Sequence, residues 1–137
     1  DASCSIQASL ATFTGTVTSP RYKVAGTALV AGDFVPSGGW GASGSVAVTS
    51  ASTDQSFHIT VTAAGAGQGL NPTVAFTFKN GTWTTVPIFV CTMETGGTGA
   101  LSFFTPDNIS ATVLTLTYVG TPVVNLTYQV ACNAWGH

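Results

Sequence analysis

The 137-residue chain has three cationic and five anionic side chains, a formal net charge of −2 at pH 7. Phosphate-backbone affinity comes mainly from Lys and Arg, so three cations argue against a nucleic-acid-binding role. With 45% apolar residues the chain is globular rather than disordered, and its length fits one domain that buries roughly two-thirds of its unfolded surface. A surface this poor in charge must be built from Thr, Ser, Gly, Asn and Ala. Such a surface suits a protein that hides part of itself in an assembly, and an oligomer is expected.

Residues 1–20 give a weak strand signal over 6–17, broken at Ser19-Pro20, and 21–30 is another strand candidate ended by Gly32-Asp33. The stretch 35–44 is dense in breakers and carries one large aromatic, Trp40. It reads as a junction between an N-terminal strand-rich segment, 1–36 (stem-like or the first strands), and a head domain, 37–137. The alternative is an internal loop of a single domain.

Short strands then follow at regular spacing: 45–50, 55–63, 73–78, 86–93, 100–104, 111–118 and 123–132. Turn chemistry separates them at Ser52-Thr-Asp54, Gly65 to Pro72, Asn80-Gly81, Gly96-Gly-Thr-Gly99, Pro106-Asp-Asn108 and Gly120-Thr-Pro122. The fold class this predicts is all-β, an antiparallel β-sandwich of about seven to nine short strands with no long helix.

The most regular stretch is 57–78. Phe57, Ile59, Val61 and Ala63 alternate with His58, Thr60 and Thr62, and Val74, Phe76 and Phe78 alternate with Thr73, Ala75 and Thr77. Period-two alternation marks strands buried on one face, and the glycine-rich turn between the two predicts a hairpin. A second pair shows the same logic. Leu114, Leu116 and Tyr118 are expected inward, as are Val124, Leu126, Tyr128 and Val130. The segment Val86-Pro-Ile-Phe-Val-Cys91 is apolar on both faces. It is either central or turned toward a neighbouring subunit.

Three cysteines, Cys4, Cys91 and Cys132, cannot all pair within one chain. Buried free thiols are the first expectation, with a Cys91–Cys132 pair left open. No apolar run is long enough to span a bilayer, and no signal peptide is expected in this sequence. The missing initiator Met suggests a processed product or a piece of a longer chain.

Two stretches carry a family resemblance. One runs Trp40-Gly … Ser45-Val-Ala-Val … Asp54-Gln-Ser-Phe-His-Ile-Thr-Val-Thr-Ala-Ala-Gly … Asn71-Pro-Thr-Val-Ala-Phe-Thr-Phe-Lys-Asn-Gly-Thr-Trp-Thr-Thr-Val-Pro-Ile-Phe-Val-Cys91. The other runs Asn108-Ile-Ser-Ala-Thr-Val-Leu-Thr-Leu-Thr-Tyr-Val-Gly-Thr-Pro-Val-Val-Asn-Leu-Thr-Tyr-Gln-Val130. Together, over residues 37–132, they resemble the C-terminal head domains of tailed-bacteriophage tail fibres and related virion appendage proteins. The resemblance implies a jelly-roll-like sandwich assembled as a homotrimer on the virion. It also implies contacts with other virion proteins and attachment to a host surface receptor or glycan. The chain departs from the family's usual ending by adding Asn133-Ala-Trp-Gly-His137.

Candidate chemistry is sparse. His58 and His137 lack a Cys, Asp or Glu at ligand spacing, so no metal site is expected. Asp33, Asp54, Glu94 and Asp107 fall in predicted turns or loops, where Asp54 and Asp107 are expected to bond the local backbone. No nucleophile elbow, P-loop or dinucleotide fingerprint occurs, so no enzyme and no cofactor are predicted.

Binding remains. Aromatic faces with neutral hydroxyls and amides read glycans, which singles out Trp40, Trp83 and Trp135, with loop positions Gly67 and Gly97. Packing in the core or against a subunit is the first reading for each Trp. Asn80-Gly-Thr, Asn108-Ile-Ser and Asn125-Leu-Thr match the N-glycosylation pattern. They would be occupied under the alternative reading, a secreted β-sandwich lectin or adhesin.

Overall fold

A computed structural model describes residues 26–95, 103–107 and 109–135. A single 3-10 turn over Ala31–Asp33 leads into eight strands: β1 (Phe34–Pro36), β2 (Ser45–Val48), β3 (Ser56–Thr62), β4 (Thr73–Thr77), β5 (Ile88–Thr95), β6 (Phe104–Asp107), β7 (Val113–Tyr118) and β8 (Thr127–Trp135). They form two antiparallel four-stranded sheets, ordered β1-β4-β7-β6 and β2-β3-β8-β5. The all-β sandwich expected from the strand spacing is the observed fold.

The period-two faces are also as expected for the most part. Phe57, Ile59, Val61, Val74, Phe76, Leu114, Leu116, Tyr128 and Val130 are all buried, because alternate side chains of each strand point into the gap between the sheets. Two aromatic clusters fill that gap. At one end Trp40 lies 5.8 Å from Phe104, 5.5 Å from Tyr118 and 5.4 Å from Tyr128. At the other, Phe76 stacks on Phe34 at 4.7 Å and Phe78 stacks on Phe89 at 5.7 Å.

The hairpin is where the structure departs from expectation. β3 pairs with β2 and β8, whereas β4 pairs with β1 and β7, so the glycine-rich link carries the chain across the sandwich. β7 and β8 are divided between the sheets in the same way. Every connection except β2–β3 and β6–β7 makes this crossing. Alternation dictates which face of a strand is buried, but it is silent about the neighbour in the ladder.

The link itself is tied down by the 35–44 segment. Ala64 N–H donates to Trp40 O at 3.1 Å, Ala42 N–H to Ala66 O at 2.9 Å and Gly69 N–H to Gly39 O at 2.9 Å. Gly41, at φ +94°, must be glycine, since a Cβ there would run into the Ala64 carbonyl and the Gln68 amide. The residues between β1 and β2 thus link the two sheets and hold the glycine-rich link in place. Phe34 and Leu29, upstream of them, are buried in the same core. The strand candidate over 6–17 lies outside the described residues.

Other departures have local causes. β8 begins only at Thr127, after Asn125 adopts a left-handed φ of 65°, and this leaves Val124 45% exposed rather than inward. β6 starts at Phe104 and runs through Pro106, which an edge strand tolerates because one side of it has no ladder to supply. Asp107 thus stands in a strand, and so does Glu94, in β5. β5 is an edge strand, not a central one. Phe89 is buried, while Val86, Ile88 and Val90 face outward.

Cys91 and Cys132 are not free thiols. They are direct register partners on β5 and β8, with Cα atoms 4.1 Å apart, and form a disulfide. The expectation failed because nothing local shows β5 and β8 to be neighbours. Cys4 lies outside the described residues.

Asp54 bonds backbone far from its own turn. Its carboxylate, 2% exposed, accepts the Lys79 N–H at 3.0 Å and the Asn80 N–H at 2.6 Å. Asn80 Oδ1 in turn accepts the Thr27 N–H at 2.9 Å. Asp54→Ala would leave two donors without an acceptor. At ~1–3 kcal/mol for each unsatisfied buried group, the expected loss is about 3 kcal/mol, seen as a lower urea midpoint at an unchanged m-value.

Asp33 supplies a pH dependence. Burial pushes its carboxyl up, but the Val30 N–H and the Lys79 ammonium, 2.8 and 3.0 Å from Oδ2, outweigh this and hold it below the ordinary carboxylate value. The contribution is fully present above the unfolded carboxylate value of about 4 and is lost as pH falls through the lower folded value. Asp33→Asn is expected to flatten the acid limb of a stability-against-pH curve below about pH 4, and an unchanged limb would remove this role.

Candidate functional site

The sandwich has two distinct ends. The glycine-rich link, Trp40 and the start of β8 mark one. The start of β3, the end of β8 and the turn bearing Asp54 mark the other.

The five residues singled out above do not come together. Trp40 is fully buried, and its Nε1 donates to Thr73 O at 3.0 Å, so it is a core residue and not a ligand platform. Trp83 is half-buried, edge-on to Phe78 at 5.9 Å. Trp135 closes β8 with 59% of its surface exposed. Gly67 is exposed, with φ +92°, in the link at the opposite end of the sandwich from Trp135. Gly97 lies outside the described residues.

What the fold does assemble is the outer face of the β2-β3-β8-β5 sheet. Because Phe57 and Cys132 point inward, Ser56, His58, Ala131, Asn133 and Trp135 all point outward. Beside β3, the turn after β2 adds Thr49 and Ser50, which with Ser56, His58, Ala131 and Asn133 line an open concavity of about 210 Å³, while Trp135 is not part of its lining. Ser56 Oγ donates to Asn133 Oδ1 at 3.0 Å across the β3–β8 ladder. His58 Nδ1 lies 3.1 Å from Thr49 Oγ1, and its Nε2 lies 3.0 Å from Glu94 Oε2. That second contact is an ion-pair approach and not an aligned hydrogen bond.

Sequence reasoning placed His58 on the polar face of its strand but missed Glu94, Ser56 and Asn133 as its surroundings. The available signal was parity: Ala131, Asn133 and Trp135 alternate with Val130, Cys132 and Ala134, so they share one face. Which strands lay beside that face could not be read. Among the described residues no three His, Cys, Asp or Glu side chains gather to hold a metal ion. His137 lies outside the described residues. No described helix is long and apolar enough to cross a membrane.

Scans of protein-family models, of curated proteins and of solved structures each return no match for this chain.

Proposed function

We propose that the chain is a non-enzymatic structural and attachment module, the head of a virion appendage of a tailed bacteriophage, working as a homotrimer. The observation that supports this reading best is apolar surface left in water by a protein with few charges. Leu70 is 73% exposed, and Phe103, Val123 and Val124 are between 43% and 45% exposed, all around the glycine-rich end. Contacts with neighbouring copies or other virion proteins would cover them.

A second reading, a secreted lectin or adhesin, is favoured by the Cys91–Cys132 disulfide, because such bonds persist mainly in oxidising compartments. Mass measurement separates the two. A trimer of bare polypeptide mass under native conditions fits the appendage head. A monomer carrying glycan at Asn80, Asn108 or Asn125 fits the secreted module and overturns the first reading.

A further inference from the structure

Two features of the outer face of the β2-β3-β8-β5 sheet adjoin each other. One is the concavity lined by Thr49, Ser50, Ser56, His58 and Asn133. The other is the exposed ring of Trp135, two residues beyond Asn133 on the same face of β8, which puts their Cα atoms roughly 7 Å apart. Ile88, the register partner of Trp135, and Val90, the partner of Asn133, are 68% and 54% exposed and extend the apolar floor beside the indole.

The chemistry of this face restricts what it can hold. None of its four strands carries a Lys or Arg, so these strands offer an anion no such cation. Glu94, the one carboxylate on these strands, already faces His58. A purely apolar ligand would cover the Ser56 and Thr49 hydroxyls and the Asn133 amide without replacing their hydrogen bonds to water. Asn133 Oδ1 is taken by Ser56, while its Nδ2 hydrogens have no acceptor among the described residues and remain free to donate. A ligand with one apolar face and a rim of neutral hydroxyls meets every one of these conditions.

The geometry points to a neutral sugar site: one hexose ring stacked on Trp135, and the adjoining ring seated in the concavity with its hydroxyls on Asn133, Ser56 and Thr49. The volume of about 210 Å³ is below the roughly 300–1,000 Å³ of pockets for drug-sized ligands, so the depression takes one ring and the indole takes its neighbour. The inference rests on the attachment reading and gives it a site and a ligand class.

The test applies the full chain, in its native oligomeric state, to an array of neutral and sialylated oligosaccharides built on glucose, galactose and mannose. Hits are titrated by isothermal titration calorimetry, which does not depend on the indole under test. Neutral glycans are expected to bind, with Trp135→Ala and Asn133→Ala each weakening affinity about tenfold or more, the scale of one lost ring contact or hydrogen bond. Val35→Ser, on the outward face of the other sheet, is expected to leave affinity unchanged. Melting temperatures of the variants check that they fold.

Wild-type affinity in Trp135→Ala would place the sugar elsewhere and overturn the site while the attachment reading stands. Preference for the sialylated glycans would overturn the neutral class. A fall in native mass in Trp135→Ala would identify the face as a contact between copies and overturn the proposal. Binding to neither the array nor a panel of bacterial cells would remove the attachment reading along with it.

Discussion

Trp40→Ala is expected to cost about 4–5 kcal/mol, near the top of the range for truncating a buried aromatic. The indole is fully buried, touches Phe104, Tyr118 and Tyr128, and donates to the Thr73 carbonyl. Truncation opens a cavity between the sheets and frees the loop that holds the glycine-rich link. Against a typical stability of roughly 5–15 kcal/mol, that loss brings the protein close to unfolding. Trp40→Phe keeps most of the packing and is expected to cost about 2 kcal/mol. The Thr73 carbonyl stays satisfied in it, since the Ser37 N–H also donates there at 2.8 Å. Urea titration of both variants measures the difference. A Trp40→Ala protein with wild-type stability would contradict the role assigned to the ring.

Reduction of Cys91–Cys132 is expected to have an effect of similar size. The bond closes a loop of 41 residues' separation. Loop-closure entropy for that length is worth roughly 4 kcal/mol at 25 °C. Unfolding with and without reductant should therefore differ by a clear shift in midpoint, as should Cys91→Ala with Cys132→Ala against the oxidised wild type. Thiol alkylation before reduction reports whether the pair is closed in the protein as isolated. Equal midpoints under the two conditions would mean that the β5–β8 ladder is held by its other contacts alone.

The faces of the strands were legible in the sequence because burial on one side imposes a period of two, and Phe57 to Val61 or Leu114 to Tyr118 have no other reason to alternate. Strand neighbours were not legible. Residues 57–78 looked like a hairpin because their glycine-rich link contains good turn residues, but turn residues serve a crossing between sheets equally well. The same blindness hid the disulfide, since Cys91 and Cys132 meet only through the β5–β8 register. It also hid the concavity, where Ser56 and Asn133 are 77 residues apart. Trp135 was singled out from its composition alone. Its true setting, an exposed ring at the end of a polar strand face, follows from where β8 sits. For Trp40, named as a binding candidate with packing as its first reading, packing is what the structure shows, because its loop folds inward over the core.

The crossing connections have a consequence for the order of events in folding. β8 is the last strand of the sandwich in the chain, yet it is an interior strand of its sheet, pairing with both β3 and β5 and carrying one half of the disulfide. Until it is synthesised, β3 and β5 have no ladder between them, and their apolar faces wait unpaired. A nascent chain stalled before residue 127 would therefore expose two sticky strand edges with no native partner. Assembly of this sheet must follow synthesis of β8, on the milliseconds-to-seconds timescale of proteins dominated by distant contacts. In a crowded cell that interval, more than the finished sandwich, is when this protein is most exposed to aggregation.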